Sequence, residues 1–468
     1  MWHSLRMTSA TVLRADPERE RTRAHQRAFG WYDWANSAYV TTTGTVLISP
    51  YLTALAREDV CPGLPSGTEC TQDLEVLGLP IAVGSVAPYT ITLATLVSAL
   101  VLLFVGAIAD RHPRPVRLLG GLAWAGAVAA SLMFFLQGSS WELGVLLVVV
   151  ANLCLGASQV VYDALLVRVA APDDRDRVSS RAWALGYLGG GLLLALNLAV
   201  MTMYESLGLT YGMAIRLSLL SAGLWWGVFT LIPVIGLRRV QGTTAPPVDR
   251  QAGVVGGTLR QLGATFRELR HFPQTLLFLL AYLFYNDGIQ TVIASASLYG
   301  TEALGFETSQ MIITILLVQF VAVGGALVFG AAAARAGAKR TVLGGILLWT
   351  LVVAGAYLVP EGAFAVWLAC AVGIGLVMGG TQALSRSLYS QLVPAGKESE
   401  FFSFYQVMER GTSWFGTLAF GLVFQLTRDY RPAILVTIAF FVLGGLILTR
   451  VDVRRGIDMA GNEQPRLV

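Results

Sequence analysis

Two polar residues interrupt a long apolar stretch in the second half of the chain. The segment FYNDGIQT, residues 284–291, places Asn286 beside Asp287 between the apolar runs FPQTLLFLLAYL and VIASASLY. Gln290 and Thr291 follow at i+3 and i+4 from the aspartate, so a helix would carry the three side chains on one face. A carboxylate in such a stretch is costly and usually functional. Asp287 could bind a cationic group of a substrate or carry a proton. The structural alternative is a protonated Asp287 that is hydrogen-bonded to a neighbouring helix.

A second set of charges lies in two apolar segments that repeat each other. GASQVVYDALLVRVAAP ends at Pro172 and GGTQALSRSLYSQLVP ends at Pro394, an offset of 222 residues. This alignment puts Asp163 of the first segment at the position next to Arg386 of the second. Two pseudo-equivalent helices would therefore carry opposite charges at similar depth, and a buried ion usually has a partner.

The composition predicts which kind of element holds these residues. The chain has 468 residues, of which 55% are hydrophobic and 13% are charged, whereas soluble domains have about 25% charged residues. This predicts an all-α polytopic membrane protein, whose helices need about 20 apolar residues to span the hydrocarbon. Twelve segments fit: 31–55, 82–108, 116–136, 141–166, 180–203, 212–235, 274–298, 309–333, 341–359, 363–392, 402–426 and 432–449.

Arginine and lysine predict which ends of the segments face the cytoplasm. With the N-terminus inside, cation-rich inside segments alternate with outside segments that hold only Arg57, Arg216, Arg428 and Arg431. An extra or missing helix would disrupt this alternation, so the pattern supports twelve helices with both termini in the cytoplasm. Residues 1–29 are polar and Arg-rich, unlike a cleaved signal peptide. We therefore expect a multi-pass protein of a bacterial-type plasma membrane.

The spacing of the segments predicts two six-helix bundles. The longest inside loop, residues 236–273, separates a bundle at 30–235 from a bundle at 274–450, with cytoplasmic tails at 1–29 and 451–468. GAIADRHPRPVRLLGG, which begins at Gly106, is echoed by GAAAARAGAKRTVLGG, which begins at Gly330, at an offset of 224 residues. Internal repeats of this kind are typical of secondary transporters.

The four cysteines divide by predicted topology. Cys61 and Cys70 share the long first outside loop, where an oxidising environment would join them in a disulfide; two free thiols are the alternative. Cys154 and Cys370 lie in apolar segments and are expected to pack.

Several function classes lack their signatures in this sequence. A net charge of +4 without a basic face gives no reason to expect nucleic-acid binding. The chain has no GxxxxGK[ST] loop for ATP, no HExxH motif and no zinc-ligand spacing. We therefore expect neither an enzyme nor a primary pump, and no cofactor or metal.

Several motifs together identify a family resemblance. GAIADRHPRPVR resembles the loop signature of the major facilitator superfamily, although Pro113 stands where glycine is usual, and the second copy has Ala334 in place of Asp110. Four further motifs resemble the branch that contains bacterial permeases and the fungal vacuolar amino-acid effluxers linked to autophagy. They are WYDWANSAY (31–39), YNDGIQT (285–291), GGTQALSRSLYSQLVP (379–394) and EFFSFY (400–405).

The resemblance implies a six-plus-six fold that works by alternating access, and it implies which charges form the cytoplasmic gate. In this superfamily the fourth and tenth helices approach each other on the cytoplasmic side, so we expect Asp163 to attract Arg386 across the halves. Glu409 and Arg410 of the eleventh helix are competing partners, and snorkelling to the interface is the alternative for all of these charges. The other candidate gating residues are Asp110, Arg111, Arg114 and Arg168.

The first predicted helix supplies further candidates. Asp33 lies in the first turn of the segment that begins at residue 31, where the helix dipole alone accounts for a carboxylate. Asn36 and Tyr39 lie deeper. The resemblance implies that the first and seventh helices line a central cavity, so Asn36 and Tyr39 join Asp287, Asn286 and Gln290 as candidates for binding substrate or a proton.

The sequence thus predicts a monomeric secondary active transporter for a small polar solute in a lipid bilayer. Amino acids and export are favoured by the resemblance alone, and proton coupling is left open. The alternative is a lipid or drug exporter with an apolar cavity from which Asp287 turns away.

Overall fold

A computed structural model describes residues 17–64, 70–76, 78–240, 267, 269–410 and 414–468. Helices make up most of this part of the chain. The first half contains α1 (Pro17–Ala38), α2 (Ile48–Val60), α3 (Val86–Arg111), α4 (Pro115–Leu132), α5 (Trp141–Val169), α6 (Arg175–Thr202), α7 (Tyr211–Phe229) and α8 (Leu231–Gly236). The second half contains α9 (Pro273–Leu298), α10 (Thr308–Ala336), α11 (Ala338–Tyr357), α12 (Phe364–Gln391), α13 (Glu398–Arg410), α14 (Trp414–Thr427), α15 (Tyr430–Arg450) and α16 (Val453–Ala460).

Among the described residues, 10 helical segments are long and apolar enough to cross a membrane. They coincide with ten of the twelve predicted spans. The predicted span at 31–55 covers parts of α1 and α2. The one at 402–426 covers parts of α13 and α14, and residues 411–413 lie outside the described residues. The count of twelve and the cytoplasmic termini therefore stay predictions.

The first predicted span is divided by a π-helical stretch, Tyr39–Leu47, that joins α1 to α2. Pro50 follows it in the first turn of α2 and has no N–H to donate to the preceding turn. Widened turns of this kind occur frequently at functional sites. Here the stretch turns Thr41, Thr42 and Thr43 into the protein interior, where all three are buried.

Small residues allow α10 and α12 to pack at close range. A Cβ atom on Gly379 would lie 2.2 Å from the carbonyl oxygen of Ala322, and one on Gly325 would lie 2.2 Å from that of Leu376. Gly375 and Gly379 are four residues apart and face the same neighbour, the pattern that lets membrane helices approach closely. From residue 377 to its end at Gln391, α12 is buried on every side.

Two hydrophobic core clusters follow the two halves of the chain. One joins buried residues between Ala28 and Leu237, and the other joins residues between Leu269 and Ile457 with Ala164 and Tyr187 of the first half. The division into bundles at 30–235 and 274–450 remains a prediction, and most of the predicted linker, 236–273, lies outside the described residues.

The predicted tails and the first outside loop contain local structure of their own. The residues from Pro17 to Phe29 belong to α1, and Asn462 donates from Nδ2 to the carbonyl oxygens of Gln391 and Val393, each at 2.8 Å. In the loop after α2, a disulfide joins Cys61 to Cys70. It precedes a short antiparallel hairpin of β1 (Asp73–Val76) and β2 (Leu79–Ala82), in which Asp73 pairs with Ala82.

Candidate functional site

Arg386 of α12 lies between two carboxylates of the first half. Its Nη2 is 3.0 Å from Oδ2 of Asp33 on α1, and its Nη1 is 3.3 Å from Oδ1 of Asp163 on α5. The side chains of Arg386, Asp33 and Asp163 are 2%, 6% and 2% exposed, so the three charges are buried together. We call these residues the Arg386 cluster.

Every donor of the Arg386 guanidinium has an acceptor. Guanidinium has five N–H groups in a fixed fork, and the bonds to Asp33 and Asp163 use three of them. The other two go to Ser179 of α6, from Nε to Oγ at 3.0 Å and from Nη2 to the carbonyl oxygen at 3.3 Å. The rings of Tyr162, Trp183 and Phe29 surround the cation at 5.3, 5.5 and 5.6 Å from their centroids, which favours cation–π attraction.

Asp163 also contacts α13 through its second oxygen. Nε2 of Gln406 donates to Oδ2 of Asp163 at 2.8 Å and lies 3.2 Å from Oε2 of Glu409. Nε of Arg410 donates to Oε1 of the same glutamine at 3.0 Å. The structure therefore brings Glu409 and Arg410 to Asp163 through the side chain of Gln406 rather than as direct ion-pair partners.

The carboxylate of Asp110, at the end of α3, caps the start of α13. Its Oδ1 and Oδ2 accept the backbone N–H groups of Ser399 and Glu400, each at 2.8 Å. The first N–H groups of a helix have no intrahelical acceptor, and a negative charge there is favourable. Arg111 and Arg114 lie at the protein surface and form no side-chain ion pair with the part of the chain that the structure describes.

Two further arginines of the first half contact the second half at the same end of the molecule. Nη2 of Arg168 is 3.4 Å from Oε2 of Glu398. Nη1 of Arg175 donates to the carbonyl oxygen of Ser390 at 2.8 Å and to Oε1 of Gln391 at 3.0 Å. Arg175 is not among the gating residues that the sequence predicted. Arg175 lies three residues after Pro172, and Pro394, the counterpart of Pro172 in the repeat, follows α12. This repeat was the signal that could have placed Arg175 near the end of α12.

Asn286 and Asp287 both bond to the backbone of the predicted span at 402–426. Nδ2 of Asn286 donates to the carbonyl oxygen of Glu409, in α13, at 3.2 Å. Oδ2 of Asp287 accepts the N–H of Gly416, in α14, at 2.7 Å. The two adjacent side chains therefore join α9 to α13 and to α14.

Three buried oxygens around Asp287 have no hydrogen-bond partner within the described residues: Oδ1 of Asp287, Oδ1 of Asn286 and Oγ1 of Thr291. Thr291 is close to the start of α14, because a Cβ atom on Gly416 would lie 2.1 Å from its hydroxyl oxygen. Asp287 is only 1% exposed, so it faces α14 rather than an open cavity in this structure. Gln290, expected on the same face, is half-buried.

The two candidates in α1 and the π-helical stretch are bonded within the first half. Oδ1 of Asn36 accepts from Nε2 of Gln159 at 3.1 Å, and its Nδ2 donates to the carbonyl oxygen of Tyr32 at 2.6 Å. Tyr39 stacks on Trp226 with ring centroids 5.3 Å apart.

Two other polar contacts cross between the halves. Gln319 of α10 donates to Oγ1 of Thr41 at 3.1 Å, and Tyr187 of α6 donates to Oε1 of Gln382 at 2.5 Å. Polar side chains therefore continue across the interface beyond the Arg386 cluster.

The dipole explanation for Asp33 is wrong. Because α1 begins at Pro17, Asp33 lies well inside the helix, whereas the dipole effect is confined to the first turn. The polar segment PERERTRAHQRAF contains no proline or glycine after its first residue, and this was the signal that the helix starts earlier. Asp33 is instead the closest carboxylate partner of Arg386.

Comparisons with known proteins agree with this architecture. A family model described as "Vacuole effluxer Atg22 like" matches residues 21–461. The uncharacterized MFS-type transporter YxiO of Bacillus subtilis is 30% identical over 431 residues, which cover 92% of this chain and 95% of YxiO. Autophagy-related protein 22-1 of Penicillium rubens is 26% identical over 476 residues, covering 84% of this chain and 79% of the fungal protein.

Solved structures show the same fold at low sequence identity. A bacterial homologue of the iron transporter ferroportin, in an outward-facing state, superposes with a TM-score of 0.64 at 14% identity over 92% of this chain and 98% of its own. The proton:xylose symporter XylE gives a TM-score of 0.62 at 12% identity over 92% of this chain and 95% of its own. The expectation of an all-α major facilitator fold is thus confirmed.

Proposed function

The chain belongs to the Atg22-like vacuole effluxer family of major facilitator transporters, and from this premise we propose that it moves a small polar solute by alternating access. The protein is a multi-pass membrane transporter rather than an enzyme. The finer proposal is a secondary active exporter of amino acids in a bacterial-type plasma membrane. The direction follows the effluxer relatives, and amino acids follow the sequence resemblance.

The observation that carries the proposal is the Arg386 cluster. One arginine of the second half holds Asp33 and Asp163 of the first half together, with all three side chains nearly inaccessible. Alternating access requires contacts between the halves that form at one end of the pathway and break when that end opens. We assign this cluster to the predicted cytoplasmic end, together with the Asp110 cap of α13 and the contacts of Arg175 with α12.

Buried polar groups support a polar rather than an apolar solute. Gln319, Gln382 and Thr41 bond across the interface between the halves, and Asn36 and Gln159 bond to each other beside it. Such groups are costly without partners, so a solute that exposes them must replace their hydrogen bonds. An amino acid has the donors and acceptors to do so, whereas the acyl chains of a lipid and an apolar drug lack them.

Asp287 is proposed as the ionisable group of the binding site. One carboxylate oxygen already accepts the N–H of Gly416, while the other is buried without a hydrogen-bond partner among the described residues. That second oxygen is available to an ammonium group of the solute or to a proton.

The test is transport by the purified full chain in proteoliposomes loaded with a panel of radiolabelled amino acids, with and without a pH gradient. We expect at least one amino acid to be transported and Asp287→Asn to lose most of this activity. Glu142→Gln, which neutralises an exposed carboxylate in the first turn of α5, is the matched control and should be unaffected. Transport of apolar drugs or lipids but of no amino acid would contradict the polar-solute proposal. Full gradient-driven transport by Asp287→Asn would refute the proton role.

A further inference from the structure

A cationic cleft lies between α1 and α6. Its volume is about 600 Å³. The residues that give it its chemistry are Arg23, Arg27, Arg177, Arg181, Trp31 and Leu185. Four guanidinium groups therefore surround a cleft whose inner wall is apolar, and none of the described residues that line it is acidic.

The helical period separates this cleft from the gate. On α6, Arg175 and Ser179 are four residues apart and contact the second half. Arg177 and Arg181 are also four residues apart, but they are offset by two positions, which turns them to the opposite face. The cleft therefore forms on the outer surface of the bundle.

The inner wall is built for close approach of α1 to α6. Gly30 has no side chain, and a Cβ atom there would lie 3.0 Å from Cδ1 of Leu185. The ring of Trp31 stacks on Phe229 at 6.0 Å and is half-buried. Below the cleft, Leu188, Leu192 and Leu196 continue along α6 and are 36%, 39% and 53% exposed. An apolar track thus leads from the arginines along the membrane-facing side of the helix.

The charges of the cleft are only partly compensated. Arg177 pairs with Asp174 at 2.7 Å. Arg23, Arg27 and Arg181 are exposed and have no ion pair within the part of the chain that the structure describes. Basic pockets beside membrane helices on the cytoplasmic side bind anionic lipid head groups.

We propose that this cleft binds one anionic phospholipid of the cytoplasmic leaflet. The phosphate contacts Arg23, Arg27 and Arg181, and one acyl chain follows Leu185 and Leu188 along α6. Charge complementarity selects an anionic head group over a zwitterionic one, and the leucine track selects a lipid over a soluble phosphate. This proposal relies on the predicted orientation of the chain, with the N-terminus in the cytoplasm. It does not depend on which solute is transported.

The test is equilibrium binding of a fluorescent phosphatidylglycerol to the purified full chain in detergent, with unlabelled competitors. We expect phosphatidylglycerol to compete, and phosphatidylcholine and glycerol 3-phosphate not to compete. Because a basic residue near an anionic surface contributes about a fivefold step in affinity, Arg23→Gln/Arg27→Gln/Arg181→Gln should weaken binding roughly 100-fold. Arg181→Gln alone should weaken it about fivefold, which keeps the test valid if the triple variant folds poorly.

The matched control removes the same charge from the second half. Arg335, Arg340 and Arg454 are exposed on its predicted cytoplasmic face, and replacing all three by Gln should leave the affinity within about twofold of the parent protein. Equal weakening by this control would show that only net charge matters and would overturn the site. Competition by glycerol 3-phosphate as strong as that by the lipid, or equal binding of phosphatidylcholine, would also overturn it.

Discussion

Neutralising the two carboxylates of the Arg386 cluster should open the predicted cytoplasmic end of the protein. The variants are Asp33→Asn, Asp163→Asn and the double variant, with Arg386 left intact. Asp33 accepts two bonds from the guanidinium, whereas Asp163 accepts one, at 3.3 Å, and is also bonded to Gln406. Asp33→Asn should therefore have the larger effect of the two single changes.

The size of each effect follows from the burial of the cluster. A hydrogen bond to a charged group contributes about 1.5–3 kcal/mol, so each single variant should raise the ratio of open to closed protein roughly 10- to 150-fold. The double variant leaves a 2% exposed arginine without a counter-charge. Removing the partners of a buried charge costs about 3–5 kcal/mol, so the ratio should rise roughly 150- to 5000-fold.

The labelling rate of one buried cysteine measures this ratio. Ser390 is 0% exposed at the end of α12, and its carbonyl oxygen accepts a bond from Arg175. Ser390→Cys is combined with Cys154→Ala and Cys370→Ala, which remove the two free cysteines. Cys61 and Cys70 are kept because they are joined in a disulfide. If a maleimide reaches the thiol only when the end is open, the labelling rate rises in proportion to the open fraction.

Asp173→Asn is the control for a general loss of charge on this face. Asp173 pairs with Arg466 at 3.5 Å, and both side chains are exposed, at 49% and 92%. Such pairs contribute about 0–1 kcal/mol, so labelling should change little. A wild-type labelling rate in the double variant, in protein that unfolds at its usual temperature, would refute the view that this cluster holds the end closed.

Three further changes test neighbouring features by the same measurements. Asp110→Asn weakens the cap of α13. The loss of a cap costs about 1 kcal/mol, so the labelling rate should rise roughly fivefold. Gly379→Ala should lower the unfolding temperature through an overpacking cost of about 1–3 kcal/mol, whereas Gly344→Ala, where a Cβ meets open space, should not. The triple variant Asp33→Leu/Asp163→Leu/Arg386→Met should keep or raise the unfolding temperature, because well-packed apolar groups can replace a buried ion pair without loss of stability. The same variant should slow the labelling and abolish transport. Faster labelling of that triple variant would contradict this reasoning.

The sequence predicted the fold and one contact of the Arg386 cluster because both depend on periodic features. Apolar segments of membrane length recur along the chain, and ten of them appear as membrane-length helices among the described residues. The proline-anchored repeat set Asp163 next to Arg386, and the structure places them 3.3 Å apart. The sequence did not identify Asp33 as the second partner. Exchanging the charges of Asp163 and Arg386 is consequently a poor test of their pairing, because a carboxylate at position 386 would face Asp33.

The contacts of Asn286 and Asp287 could not be predicted because their partners are backbone groups of another segment. Residues 402–426 read as one continuous apolar span, and nothing in the 284–291 segment points to Glu409 or Gly416. The cost of a buried carboxylate was predictable, but its partner was a backbone N–H, which every residue except proline has. Sequence patterns identify side chains that need a partner more readily than they identify backbone groups that supply one.

The charged character of the proposed gate has a physical reason. A buried ion pair gains little net stability, because desolvation of the charges offsets most of their attraction. When the halves separate, Arg386, Asp33 and Asp163 regain water, so the open state recovers much of what the broken contacts lose. Apolar groups in the same place would lose burial on opening and gain nothing from the water that enters. Because every guanidinium donor is satisfied, the closed cluster has a specific geometry. Its free energy is nevertheless close to that of the hydrated form, so the proposed gate can open repeatedly during transport.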